Sequence, residues 1–377
     1  MQIVPDLTGM LSASAGEATY RAFQWSKNYF GLAHKFASTR ASQTLVEASS
    51  VLKRGFRFDE SDEIASERRS DGGVSQATID VVQARYEELL AVDWQDAELR
   101  YYPRTLLFDN PWGDFARFYP QVWMDLFSIS DRVSRKQHHE FADDIDTDGY
   151  PKYYLQNFHH QTNGYLSDQS ANLYDLQVEL LFGGSADAMR RRVIRPMVDL
   201  AVQRPNKFTR ILDVACGTGR TLQMLRGAFP QASLYGVDLS PAYLRKANQT
   251  LSEIPGELPQ LLQHNAENLP FTDGYFGITT SVFLFHELPG KARQNVINEM
   301  ARVTSPDGLI VICDSIQMSD SPELVESMEA FSKTFHEPYY RNYIRDNLGD
   351  RLQSAGCEVL DVQSHFMSRY TVARKAA

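Results

Sequence analysis

Three cysteines in 377 residues leave little room for a disulfide framework. Cys216, Cys313 and Cys357 each lie in or beside an apolar, strand-like run, and no CxxC or Cys/His spacing suggests a structural zinc site. A reducing compartment is therefore expected. Long hydrophobic runs are missing too. No stretch approaches the ~20 apolar residues of a membrane-crossing helix, so no integral membrane segment is expected. Positive charge is in deficit: 38 Lys and Arg against 48 Asp and Glu leave a net charge of −10. Such a chain repels phosphate backbones, which disfavours nucleic acid as a partner. The compact basic cluster Arg190-Arg191-Arg192 with Arg195 reads as a solvated helix face. The N-terminus lacks a compact apolar segment ending in small residues, which argues against secretion and for a cytoplasmic protein. Residues 1–57 are rich in Ser and Ala and poor in acids, so an organelle transit peptide stays open.

What is present is enough for a sizeable core, with 43% hydrophobic residues, and enough chain for two domains. The pattern changes near residue 205. All four tryptophans (Trp25, Trp94, Trp112, Trp123) precede it. Segments 18–55 and 75–92 carry helical apolar spacing and flank a charged stretch at 58–74 that reads as a solvated linker. Residues 100–135 contain Pro103, Pro111 and Pro120 and predict short helices joined by turns. Residues 153–202 read as helical. A mostly helical region, 1–200, is thus expected before a second unit, 201–377.

From 209 onward, strands and helices alternate. Strands are predicted at Thr209–Ala215, Ser233–Asp238, Gln260–His264, Phe276–Val282, Leu309–Asp314, Cys357–Gln363 and His365–Ala373. Helices are predicted at 218–229, 241–252, 290–303, 322–334 and 340–355. Alternation of this kind implies a mainly parallel sheet with helices on both faces. The last two strands are separated by only a couple of residues around Ser364, so they must form an antiparallel hairpin.

Ile211–Gly219, reading Ile-Leu-Asp-Val-Ala-Cys-Gly-Thr-Gly, is the most informative segment. It is a buried strand ending in a small-residue turn, followed by a helix. Backbone N–H groups at such a turn can receive an anionic or strongly polar ligand. A dinucleotide turn would need a third small residue where Leu222 stands, so NAD is disfavoured. Asp213-x-Ala215-x-Gly217-x-Gly219 instead resembles the first motif of the class I S-adenosylmethionine (SAM)-dependent methyltransferases, with Ala215 in place of the first glycine. Tyr235-Gly236-Val237-Asp238-Leu239-Ser240, Asn265-Ala266-Glu267-Asn268-Leu269-Pro270-Phe271, the segment from Phe276 to Pro289, and Thr304-Ser305-Pro306-Asp307-Gly308-Leu309 follow in the order of that family's later motifs. The resemblance covers roughly 205–374, and the nearest subgroup is the ubiquinone/menaquinone-biosynthesis-like small-molecule enzymes.

It implies an α/β, Rossmann-like, seven-stranded sheet with SAM as cofactor and S-adenosylhomocysteine (SAH) as product. Asp213 would lie near the methionine amino group, Asp238 at the ribose hydroxyls, and Asn265 with Ala266 at the adenine. Cys216, Gly217 and Gly219 belong to the turn, Leu239 and Glu267 to the neighbouring motifs, and Phe283 to the segment facing the methyl donor. His286 just beyond it is the foremost catalytic candidate, as a base or as a pocket-shaping residue, with the lid histidines His159 and His160 as further catalytic candidates. Glu287 reads as a helix-start acid. Tyr153–Tyr165 reads as a lid, with His159, His160 and Tyr165 as contacts and Tyr174 and Asp175 behind them. Asp144, Asp146, Asp148 and Gly149 imitate a calcium loop, but Leu155 falls where the bidentate acid is required, so a solvated acidic loop is expected and no metal.

The expected function is methyl transfer to an oxygen or carbon of a small, apolar or aromatic acceptor. A protein methyltransferase that docks through the N-terminal region, a relative transferring another group, and a non-catalytic SAM-binding scaffold are the alternatives. Homodimerisation stays open.

Overall fold

Strands whose apolar residues run without interruption must be covered on both faces, and helices from both halves of the chain cover these. The computed structural model describes residues 16–54, 75–135, 138–203 and 210–376. The charged stretch 58–74 and residues 1–15 of the transit-like stretch lie outside the described residues.

The chain enters through α1 (Glu17–Arg54) and α2 (Gln76–Glu98), the latter capped by the Ser75 hydroxyl, which accepts from the Thr78 N–H. Then come α3 (Trp112–Arg135), α4 (Asp168–Leu181), α5 (Ala186–Arg191) and α6 (Ile194–Gln203). The short helices expected over 100–135 are instead a 3-10 turn at Arg104–Leu107 and the single long α3, which runs through Pro120. A proline removes one helical hydrogen bond and crowds the preceding turn. Here Phe118 and Val122, on either side of it, pack with Leu173 and Leu176 of α4, and that burial holds the helix together. Residues 153–167 are turns rather than helix, apart from a 3-10 turn at Phe158–His160.

The second half alternates as expected: β1 (Arg210–Val214), α7 (Arg220–Ala228), β2 (Ser233–Asp238), α8 (Pro241–Ser252), β3 (Gln260–Gln263), β4 (Phe276–Val282), α9 (Gly290–Val303) and β5 (Thr304–Ser315). Next are α10 (Val325–Thr334), α11 (Tyr340–Tyr343), α12 (Leu348–Ser354), β6 (Cys357–His365) and β7 (Ser368–Lys375). The strand order is β3-β2-β1-β4-β5-β7-β6, with β7 antiparallel to both neighbours. The hairpin turns at Phe366 and Met367, two residues beyond Ser364, because His365 pairs with Ser368.

Successive side chains of a strand point to opposite faces, and this divides the core. Ile211, Ile278, Leu309, Val311 and Cys313 face a cluster containing Tyr20, Leu89, Trp94, Met189 and Met197, all from the N-terminal half. Leu212, Val214, Ile310 and Ile312 face Val296, Met300, Tyr343 and Leu352. The helical region therefore shares one of the two covering layers with α7 and α8, whose Leu222, Leu225, Ala247 and Leu251 belong to the same cluster.

The arginine cluster is not a solvated face. Arg190, Arg191 and Arg192 are buried, because acids meet them, those of Arg191 and Arg192 distant in sequence. Arg191 donates from Nε and Nη2 to the two oxygens of Asp93 at 2.9 and 2.6 Å, Arg192 pairs with Asp96, and Arg190 pairs with Asp187 at 3.0 Å.

Close packing at the first turn rests on glycine. A Cβ on Gly236 in β2 would lie 2.8 Å from Cys216 Sγ and Leu222 Cδ1 and 2.9 Å from Leu261 Cδ2. Gly236→Ala is expected to cost roughly 1–3 kcal/mol through overpacking, read as a lowered unfolding midpoint in urea.

Candidate active site

In open α/β sheets, ligands bind at the carboxyl ends of the strands where the order reverses, here between β1 and β4. The turn after β1 sits at that place. Ala215 (φ 59°), Gly217 (φ 54°) and Gly219 (φ 81°) all occupy the left-handed region. Gly217 lets its amide reach Asp238 at the end of β2: the Gly217 N–H donates to Oδ2 at 2.9 Å, and Ser240 N–H donates to Oδ1 at 2.8 Å. Burial pushes the Asp238 carboxyl up to about 6, against the pull of those two amides.

A cavity of about 760 Å³, counted out to its mouth, opens here. Ala215, Gly217, Asp238, Leu239, Asn265, Ala266 and Phe283 line it, together with Tyr153, Tyr154, Tyr165 and Tyr174 from the N-terminal half. Asn265 turns its side-chain oxygen to the Glu267 N–H at 2.9 Å. Glu267 is not on the wall. It accepts from Tyr153 Oη at 2.6 Å and Asn295 Nδ2 at 2.8 Å, and so ties the 153–165 segment down. Cys216 and Gly219 stand behind the wall, the latter as the residue capping α7. Asp213 is buried with neither carboxylate oxygen hydrogen-bonded. Burial, reinforced by the charge of Asp238, pushes its carboxyl well above the usual range.

A second cavity of about 840 Å³ adjoins the first, and Tyr174, Phe283 and Glu287 line both. Its walls are largely apolar, with Val178, Leu181 and Phe182 on one side and Leu324, Met328 and Phe331 on the other. Its polar end holds His159, His286 and Glu287. Phe283, between the cavities, has φ 59°, a strained value for a bulky residue, and stacks on Phe182 at 6.0 Å.

His286 is fixed from behind. Its Nδ1 lies 2.6 Å from Asp314 Oδ1, while the Leu284 and Phe285 N–H groups donate to Oδ2. Burial alone would lower this imidazole, but Asp314 and then Glu337 raise it to about 10. At neutral pH it carries its proton and offers Nε2–H as a donor. Glu287, read from sequence as a helix-start acid, accepts from Tyr165 Oη and lies 3.5 Å from His159 Nε2. His160 lines neither cavity. Its Nε2 faces the Thr334 carbonyl at 3.3 Å, its ring neighbours His138 and His336, and burial lowers its pKa.

Glu337 is the site residue that local motifs pass over, while Tyr174, expected behind the lid contacts, lines both cavities. Asp175 lies 3.8 Å from Arg190, one shell out. Among the described residues no group of His, Cys, Asp and Glu could hold a metal ion, and no helix is long and apolar enough to cross a membrane. The acids 143, 144, 146 and 148 lie in a turn-rich, largely exposed loop.

Residues 211–308 match a family model described as a methyltransferase domain. A demethylmenaquinone methyltransferase of Thermus thermophilus is 36% identical over 141 residues, 37% of this chain and 60% of that protein. A ubiquinone/menaquinone biosynthesis C-methyltransferase of Burkholderia orbicola is 30% identical over 151 residues, 40% of this chain and 58% of that protein. The chain thus spans about 60% of the length of these relatives. Among solved structures, a magnesium protoporphyrin IX methyltransferase from Synechocystis with bound SAH superposes with a TM-score of 0.39 at 15% identity, over 52% of this chain and 87% of that one.

Proposed function

We propose that this chain, whose residues 211–308 match a methyltransferase domain, is a class I SAM-dependent methyltransferase that transfers a methyl group to a small, apolar organic acceptor held in the second cavity. The observation that carries the reading is the junction of two unlike cavities at Phe283 and Glu287. One is lined by a glycine turn and a strand-end carboxylate, the other by apolar walls with imidazoles at one end.

The first cavity fits SAM by the chemistry of its donors and acceptors. Asp238 would accept from the ribose hydroxyls, and Ala266 and Asn265 would flank the adenine. Asp213, buried two residues before Ala215 and not on the wall, has an unpartnered carboxylate that suits a cationic amino group nearby. SAM supplies an already activated methyl group. What remains for the protein is alignment and the exclusion of water.

Residues before 201 act as lid and acceptor-binding region in this reading. Tyr153, Tyr154 and Tyr165 close over the first cavity, and Tyr165 is anchored on Glu287. Val178, Leu181 and Phe182 shape the acceptor wall. The apolar walls favour an aromatic or isoprenoid body. His286 donates to the acceptor's polar atom, and oxygen and carbon both suit this end as methylation sites. The quinone-directed names of the Thermus and Burkholderia relatives agree with such an acceptor.

SAM should bind in calorimetry with a 1:1 stoichiometry. Incubation with methyl-labelled SAM and a total small-molecule extract should place label in a solvent-extractable product. Label confined to protein, or no transfer with SAM bound, would sink this reading.

A further inference from the structure

The polar end of the second cavity contains more acid than the domain's motifs account for. Glu337, just past α10, is 1% exposed at its side chain, and neither of its oxygens has a hydrogen-bond partner. Its Oε1 lies 3.5 Å from His159 Nδ1 and its Oε2 lies 3.8 Å from His286 Nε2. His159 Nε2 lies in turn 3.5 Å from Glu287, and His286 Nδ1 lies 2.6 Å from Asp314. Three carboxylates and two imidazoles therefore form one cluster, of which His159, His286 and Glu287 line the cavity while Asp314 and Glu337 stand behind them. They come from four places in the chain: the 3-10 turn at Phe158–His160, the loop after β4, the end of β5 and the segment after α10.

With both imidazoles charged and all three carboxylates ionised, the cluster keeps one negative charge in excess. Among the described residues, the neighbours that face the cluster add no cancelling charge. His336, stacked on His138 at 3.9 Å, is lowered by burial to about 4 and stays neutral, and burial also lowers His138 and His160. Arg132 is spent on the His160 carbonyl and the Thr162 hydroxyl. Arg190, near Phe283, faces Asp187 and Asp175. Tyr165 donates to Glu287, and Tyr340 shares a hydrogen bond with Ser315, neither bringing charge.

Resting on the acceptor reading of this cavity, we propose that Glu337 sets its charge selectivity: the excess carboxylate admits neutral acceptors that present a hydroxyl donor and excludes carboxylates and other anions. Glu337 does not line the cavity, so it acts through the two imidazoles as a positioning residue. For an assumed separation of about 8 Å and an effective dielectric of about 20, one uncancelled unit charge disfavours an anion by about thirtyfold.

The test uses the full chain loaded with SAH and two probes of one shape, 1-naphthol and 1-naphthoate, titrated calorimetrically near neutral pH. Naphthol should bind at least tenfold more tightly than naphthoate. In Glu337→Gln, which keeps the size of the side chain, that preference should shrink at least fivefold. A pH series supplies a second readout. Burial raises the Glu337 carboxyl, with His286 and His159 opposing. Lowering the pH through its titration should therefore strengthen naphthoate binding in the wild type but not in the variant. Equal binding of the probes by the wild type, or an unchanged ratio in Glu337→Gln, would overturn the proposal. Failure of both probes to bind while SAH still does would reject the cavity as the acceptor site, and the selectivity with it.

Discussion

Asp93→Asn is expected to destabilise the fold by about 3–5 kcal/mol, the usual consequence of removing one partner from a buried ion pair. Four donors converge on this carboxylate: Arg191 Nε and Nη2, Tyr20 Oη, and Tyr102 Oη at 2.6 Å. Asp93 and Arg191 are 0% and 1% exposed, so neither can recover hydration without opening the core. Asparagine retains one acceptor oxygen and leaves the guanidinium charge uncompensated. The cluster ties α1, α2 and α5 together, and Arg191 adds a bond to the Leu106 carbonyl. Urea unfolding measures the loss. Combining Asp93→Asn with Arg191→Met should recover part of it, because an apolar side chain leaves no buried charge behind. A loss under about 1 kcal/mol would mean that water reaches the pair.

The elements most legible in the sequence were those fixed by local pattern. β2, β4, α8 and α9 lie where apolar runs and helical spacing put them, at Ser233–Asp238, Phe276–Val282, Pro241–Ser252 and Gly290–Val303. β5 begins at Thr304, five residues earlier than its apolar core suggests. Thr304 pairs with Phe276 across a register shift, and a bulge has no hydrophobic signature. Pro120 predicted a break that packing overrode. The arginine cluster looks solvated by local pattern because the partners of Arg191 and Arg192, Asp93 and Asp96, lie almost a hundred residues away. The polar end of the second cavity was hidden for the same reason. His159, His286, Asp314 and Glu337 share no spacing, and only the crossing of strand ends with the N-terminal turns brings them together. The glycine turn and Asp238 were readable because a single β-turn-α unit with the next strand end contains them.

Asp238→Ala is expected to weaken SAM binding by about a hundredfold, with a smaller loss in Asp238→Asn. Each hydrogen bond from a ribose hydroxyl to an ionised acceptor is worth about 1.5–3 kcal/mol, and alanine removes the acceptor altogether. Alanine also strands the Gly217 and Ser240 N–H groups that the carboxylate now accepts from, which loosens the turn. Asparagine separates the two effects, since its single oxygen can keep one of these bonds but carries no charge. The pH dependence adds a sharper signature. Only the ionised carboxylate can accept from both hydroxyls, and burial has moved its titration up to about 6. SAM affinity measured by calorimetry should therefore be constant above pH 7 and fall as the pH drops through about 6. The low-pH limb should approach a tenfold loss per unit, one proton excluding one SAM. In Asp238→Asn this limb should disappear. Its persistence in the variant would assign the titration to another group, with the unpartnered Asp213 carboxylate, which burial and the charge of Asp238 push upward, the next to replace.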